Sequence, residues 1–147
     1  MNRRLLNEYT KLKKKYKTKI SFNEDQDYKT ITLLLNYNLI QIKISNQNFT
    51  KYPFTPPEIF VNNKYYNDML QTINVNDYIK FIRKTQCCIL CDSISCTNNW
   101  NPLCKIQQII NEVDLLMTNK KRIIEKNICN EIEKKWNIPE NLIIKFL

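Results

Sequence analysis

Not one of the 147 residues is a glycine. Loops that cradle a phosphate or a dinucleotide need residues at φ > 0, or a backbone without Cβ at the point of closest approach. A Walker-type loop and a dinucleotide fingerprint are therefore excluded, and a nucleotide-dependent enzyme is not expected. Histidine is absent too. Its absence removes Ser-His and Cys-His nucleophile pairs, an imidazole general base and any His-liganded zinc. Alanine is also missing while Asn, Ile, Lys and Tyr abound, the bias that an AT-rich coding sequence imposes. On that ground the formal charge of +9 is read as composition rather than as an electrostatic footprint, and no nucleic-acid partner is expected.

A chain of 147 residues is the size of one ordinary domain, so a single domain over residues 1–147 is expected. With 43% hydrophobic residues and no low-complexity run it has the composition of a folding chain. The N-terminal MNRRLLNEYTKLKKKYK carries charge but no apolar signal region, and no stretch reaches the about 18 apolar residues of a membrane span. A cytoplasmic or nuclear location without a membrane partner is the expectation. There, the six cysteines (Cys87, Cys88, Cys91, Cys96, Cys104 and Cys129) are thiols or ligands rather than a disulfide framework.

Periodicity gives the order of elements. Leu5, Tyr9, Leu12 and Tyr16 recur at helical spacing, which predicts an amphipathic helix over residues 2–16 whose other face is basic. Residues 17–22, 28–36 and 39–45 are rich in β-branched residues and separated by short polar turns, so they predict an antiparallel meander. A fourth strand is expected at 58–63, after the proline-rich YPFTPP, whose prolines cannot donate to a ladder. Residues 64–86 show no clear period. The apolar positions Leu103, Ile106, Ile109, Ile110, Val113, Leu116 and Met117 predict a helix that covers the sheet. A second helix is expected over 120–136, and Pro139 suits the first turn of a short terminal helix holding Leu142, Ile143 and Phe146. The fold class is α+β: an N-terminal helix, a four-stranded antiparallel meander and C-terminal helices.

This order, with KYPFTPPEIFV at 51–61 and NNWNPLCKIQQIINEVDLL at 98–116, resembles the ubiquitin-conjugating enzyme family. The shared features are an N-terminal basic helix, a four-stranded meander, a YPF-x-PP loop, a cysteine-bearing loop, a W-x-P segment and a long helix. Two family features are missing, the TPYxGG-type stretch before the third strand and the His-Pro-Asn signature before the cysteine. The resemblance implies an enzyme that carries ubiquitin or a ubiquitin-like protein as a cysteine thioester and passes it to a substrate amine. Such chemistry is nucleophilic catalysis by a thiolate and requires no histidine and no cofactor. An inactive variant of the family, acting as a ubiquitin- or ligase-binding module, is the alternative. The family's asparagine stabilises the thioester oxyanion. Asn67, Asn76, Asn98 and Asn99 are the candidates for that role here.

The resemblance places the acceptor cysteine about eight residues before the tryptophan. Cys91 is nine residues before Trp100, and its CDSIS is similar to the C-L-S-I-S of some members, so Cys91 is the expected nucleophile. Cys88 is the runner-up; Cys87 would point to the opposite side of an extended chain, and Cys96 lies too close to Trp100. Cys88 and Cys91 also have a zinc-knuckle spacing that Cys96 and Cys104 would complete, but no second CxxC pair is present and no metal is expected. The resemblance further implies a ligase contact through Phe54, Asn101 and Leu103, and an activating-enzyme contact through Arg4, Lys11 and Lys14.

Overall fold

A computed structural model of the chain describes residues 2–48, 51–72, 90 and 93–136. It is an α+β structure with an N-terminal helix, a five-stranded antiparallel sheet and a long C-terminal helix. Helix α1 (Arg3–Tyr16) buries Leu5 and Leu12 and turns its lysines outward. Asn2 caps it, its side chain accepting from the Arg4 amide at 3.0 Å. Lys17, at φ 53°, ends it, and Lys17–Lys19 make one 3₁₀ turn. The first strand therefore begins at Ile20, three residues later than periodicity predicts.

The sheet runs in the order β1 (Ile20–Glu24), β2 (Tyr28–Leu35), β3 (Asn38–Ser45), β4 (Glu58–Val61) and β5 (Lys64–Tyr65), each strand antiparallel to the next. Register puts the apolar residues on one face: Ile20 opposes Leu33, Ile31 opposes Ile42, Leu33 opposes Ile40, Ile42 opposes Ile59 and Ile40 opposes Val61. All are at most 5% exposed. At about 2 kcal/mol for each such side chain, burial of this face is the main force holding the meander. The other face is mixed, with the Lys43 ammonium over the rings of Phe60 at 4.7 Å and Tyr28 at 5.8 Å.

Hairpins normally draw on glycine for their positive-φ residues. Here asparagine, which tolerates the left-handed region better than other residues, takes most of those places. Asn36 and Tyr37 close β2–β3 at φ 48° and 64°, and Asn62 and Asn63 close β4–β5 at 51° and 64°. The second pair corrects the expected four-stranded sheet. Asn62 and Asn63 form a turn rather than the end of a strand, and the chain folds back so that Phe60 pairs with Tyr65 and Val61 with Lys64. The β1–β2 hairpin is closed by Asp25, whose carboxylate accepts from the amides of Tyr28 at 2.7 Å and Asp27 at 2.9 Å. Those two bonds, that from Tyr28 foremost, hold its pKa below the ordinary value.

A seven-residue helix, α2 (Tyr66–Thr72), follows within the stretch whose sequence shows no period, burying Tyr66, Met69 and Leu70. The two helices expected at 103–117 and 120–136 are instead one, α3 (Ile106–Trp136). Neither proline nor glycine lies between Met117 and Lys120 to interrupt the backbone ladder, so Thr118 and Asn119 continue it. The terminal helix expected after Pro139 lies outside the described residues.

The chain divides into two compact units, Met1–Ile73 with Gln86–Asp114, and Asn74–Thr85 with Leu115–Leu147. In the first, Ile106, Ile109, Ile110 and Val113 of α3 are fully buried. In the second, the described part of α3 buries Leu116, Asn119 and Cys129 and carries a Lys121–Glu125 ion pair at 3.5 Å. No helix among the described residues is long and apolar enough to cross a membrane.

Tyr37 is fully exposed and gains nothing from packing, yet it holds a φ of 64°. Non-glycine residues pay about 1–2 kcal/mol in that region. Tyr37→Gly should therefore raise the midpoint of urea unfolding, by about 0.5–1 kcal/mol after the extra chain entropy of glycine is subtracted. An unchanged or lowered midpoint at constant m would contradict the assignment of strain to this turn.

Candidate functional site

The YPFTPP loop and the WNP segment meet in the first unit. The Trp100 indole donates to the Pro53 carbonyl at 2.7 Å, and the Trp100 and Tyr52 rings lie 6.4 Å apart. Trp100 is 6% and Tyr52 2% exposed, so both side chains are core and their polar atoms require partners. The Tyr52 hydroxyl donates to Glu8 Oε1 at 3.1 Å, and the Tyr52 carbonyl accepts from Asn2 Nδ2 at 3.0 Å. The Tyr52–Pro53 peptide is cis.

Glu8 is the hub of this junction. Its Oε1 also accepts from Arg4 Nε at 2.8 Å, and its Oε2 accepts the amide of Ile106, the first residue of α3, at 2.8 Å. That amide is one of the donors a helix start leaves unpaired, and the positive end of the helix dipole favours the carboxylate. Lys105, just before the helix, has its amide bound by Gln108 Oε1 at 2.7 Å, one half of a capping box. The guanidinium of Arg4 continues to the carbonyls of Pro102 and of Cys104, the latter at 2.6 Å. Burial first, then the Glu8 carboxylate, hold the Tyr52 phenol well above its ordinary pKa.

The segment just after Cys91 is held by a second carboxylate. Glu112 of α3 accepts from the Ser93 hydroxyl at 2.5 Å, the Ile94 amide at 2.9 Å and the Tyr66 hydroxyl at 3.0 Å. Ser93 and Ser95 are buried with their hydroxyl oxygens 2.6 Å apart, and the Ser95 hydroxyl donates to Asn67 Oδ1 at 2.7 Å. Local bonds shape the turn: Ser93 N–H to the Leu90 carbonyl, Ser95 N–H to Ser93 Oγ, Cys96 N–H to the Ser93 carbonyl, and Asn99 Nδ2 to the same carbonyl. The segment thus joins α2 and α3 through side-chain polar groups.

Cys91, Cys88, Cys87 and Asn76 lie outside the described residues. Cys96 is partly buried, and Cys104 is 8% exposed with its thiol 3.8 Å from the Asn99 carbonyl. No group of three or more His, Cys, Asp or Glu among the described residues is placed to hold a metal ion. Of the asparagines, Asn67 and Asn99 bond the Ser93–Ser95 turn, whereas Asn98 is exposed. Phe54 and Leu103 are 71% and 84% exposed, and Asn101 is exposed while its Oδ1 accepts from the Leu103 amide at 2.9 Å. Lys11 and Lys14 are exposed on α1. Arg4 differs from them: its three nitrogens are all bonded within the molecule, so its guanidinium is a structural tie even though the side chain stays 32% exposed.

Glu8, Glu112, Ser93, Ser95 and Tyr66 are the residues that sequence reasoning passes over. Glu112 is the first acidic residue of α3, on the flank of the apolar stripe, and that was its one visible signal. Compared with known proteins, the chain matches no family model, no curated protein and no solved structure.

The Tyr52 phenol gives this junction a pH signature. In the unfolded chain it ionises near its ordinary 10.0, and in the folded protein only above that. Its contribution to stability is therefore complete below pH 10 and is lost as pH rises beyond it. Tyr52→Phe should cost about 1–2 kcal/mol at pH 7 through the lost bond to Glu8, and should flatten the fall in stability above pH 10. Urea midpoints measured from pH 8 to pH 11 on both proteins test this; parallel curves would contradict it.

Proposed function

We propose that the chain is a divergent ubiquitin-conjugating enzyme with Cys91 as its thioester acceptor. The observation that carries the reading is the Trp100–Pro53 hydrogen bond, which brings together the two motif segments, 47 residues apart in sequence, on which the resemblance rests. The element order α1, antiparallel meander, long helix supports it, as does the exposure of Phe54 and Leu103 beside the joined segments, the surface a ligase would grip. Exposed Lys11 and Lys14 suit contact with an activating enzyme. No histidine is needed at any step.

In this reading the Cys91 thiolate attacks the carbonyl carbon of the thioester that joins ubiquitin, or a ubiquitin-like protein, to the activating enzyme. The new S–C bond forms as the old one breaks, and the activating enzyme's thiolate departs. A substrate amine then attacks the same carbon. The N–C bond forms, Cys91 leaves as thiolate and the ammonium proton passes to water. ATP is consumed earlier, by the activating enzyme.

The test is a charging assay with ubiquitin, ubiquitin-activating enzyme and ATP, resolved on gels with and without reductant. Wild type and Cys88→Ala should give one reductant-sensitive adduct, and Cys91→Ala none, a loss of at least about 100-fold because no other thiol takes its place. An adduct that survives Cys91→Ala and vanishes in Cys88→Ala would move the nucleophile. No adduct on a folded wild type, with ubiquitin-like proteins and their activating enzymes also tried, would favour a ubiquitin- or ligase-binding module without thioester chemistry.

A further inference from the structure

The formal charge of +9 is not spread over the chain. Residues 3–19 hold eight of the 23 basic residues and one of the 14 acidic ones, a balance of +7; the other 130 residues hold 15 basic and 13 acidic, a balance of +2. A compositional bias toward lysine acts on the whole chain, so it does not account for an excess confined to one end. The fold sharpens the segregation. Arg4 and Glu8, the one acidic residue of α1, bond each other at 2.8 Å and cancel. Arg3 and six lysines (Lys11, Lys13, Lys14, Lys15, Lys17 and Lys19) remain, all exposed and none in an ion pair among the described residues.

The six lysines share one end of the helix. Lys11, Lys13, Lys14 and Lys15 occupy its last turns, and Lys17 and Lys19 lie in the 3₁₀ turn that follows directly. Lys11 and Lys15, four residues apart on the helix, repel each other and weaken it. The C-terminal pole of a helix carries only about half a negative charge, which offsets a small part of six. Folding therefore gains little from this cluster.

The chemistry of the patch selects its partner. The cores of protein–protein interfaces are rich in aromatic residues, Met and Arg and poor in Lys. Here Leu6, 44% exposed, is the only large apolar side chain that α1 exposes, so neither a protein core nor a membrane has much to bury against. With no exposed aromatic ring on the helix, unpaired bases have nothing to stack on. Lysine ammoniums act as point charges and suit a regular row of phosphates. We propose that the lysine patch at the end of α1 is a nucleic-acid-binding surface, which holds the phosphates of a duplex without reading its sequence. From Lys11 to Lys19 the chain advances about 13 Å, and one strand of a duplex presents a phosphate about every 3.4 Å along its axis, so the patch faces about four. An activating enzyme that touched Lys11 and Lys14 would leave the other four lysines without a role. The surface goes beyond the thioester reading and does not depend on it.

The experiment is fluorescence anisotropy with DNA and RNA duplexes of about 20 base pairs, each in two unrelated sequences, as salt rises from about 50 to 200 mM. Two variants of equal net charge, +5, are compared with wild type: Lys13→Gln, Lys14→Gln, Lys15→Gln and Lys17→Gln together, and the exposed, scattered Lys51→Gln, Lys64→Gln, Lys105→Gln and Lys134→Gln together. Wild type should bind either or both kinds of duplex, equally in both sequences, and lose about 100-fold in affinity over that range, as four phosphate contacts require. The α1 variant should bind at least about 30-fold more weakly at low salt and with a shallower salt slope, whereas the scattered variant should stay within about 3-fold of wild type near 150 mM, where distant charges are screened. Melting should show the α1 variant folded and no less stable, because it loses repulsion. If it does not fold, Lys14→Glu takes its place, with about 10-fold weaker binding supporting the proposal and unchanged binding overturning it. A wild type that binds neither duplex at low salt overturns the proposal, and so does equal weakening in the two variants, which would assign binding to net charge. Polyglutamate or phosphatidylserine vesicles that bind wild type more tightly than either duplex would assign the patch to an acidic protein or a membrane, and also overturn it.

Discussion

Burying a carboxylate costs several kcal/mol unless its oxygens are filled by good donors. Glu8, with 12% of its side chain exposed, is filled by three: the Arg4 guanidinium on its own helix, the Tyr52 hydroxyl from the YPFTPP loop and the Ile106 amide that opens α3. Each donor belongs to a different part of the first unit. Removing Glu8 would leave a buried hydroxyl and a helix-start amide unpaired, so the cost is set by the partners as much as by the carboxylate. Through this group α1 is held both to the loop and to the long helix, beside the bonds from Asn2 to the Tyr52 carbonyl and from Gln107 to the Tyr16 hydroxyl. The Trp100–Pro53 bond then falls where it does because Tyr52, the neighbour of Pro53, is pinned to Glu8.

Glu112 does for the segment after Cys91 what Glu8 does for its far end. Ser93 and Ile94 are tied to α3 at Glu112, and Pro102, Cys104 and Ile106 are tied to α1 at Arg4 and Glu8. Between these anchors run Trp100, packed against the loop, and the exposed Leu103. A stretch with no glycine and little regular secondary structure is thus held at both ends by carboxylates on helices. Such an arrangement fixes Ser93, Ile94 and the start of α3 to the helices, and it suits the proposed thiol transfer.

Patterns with short range were readable in the sequence. The leucines of α1 at helical spacing and the β-branched runs of β2 and β3 bury the residues that periodicity marks, within a few residues of the expected ends. Errors came where a local signal has two meanings. Asn62 and Asn63 read as a strand end but are the turn of a fifth strand, because asparagine here takes positions glycine usually holds. Thr118 and Asn119 read as a break, yet polar residues without proline or glycine do not stop a helix already nucleated on both sides. At the site, Phe54 was legible as an exposed motif residue, whereas Leu103, expected on the apolar stripe of the covering helix as well as on the exposed surface, lies ahead of that helix and is 84% exposed. Arg4 was read only as part of a basic face, and its ties to Glu8, Pro102 and Cys104 had no signal beyond the i,i+4 spacing to Glu8. Glu8 was legible only as the i,i+4 partner of Arg4, and Glu112 only as the first acidic residue of α3; the partners that give them their roles lie 98, 44, 46, 19 and 18 residues away, and no spacing rule reaches that far.

The largely buried Glu8 carboxylate on α1 holds the start of α3. Amide-resolved native-state hydrogen exchange on wild type and Glu8→Ala addresses it directly. The Ile106 amide should be protected in wild type and exchange at least about 10-fold faster in the variant, while the amides of β2 and β3 keep their protection. An Ile106 amide equally protected in both proteins would contradict it.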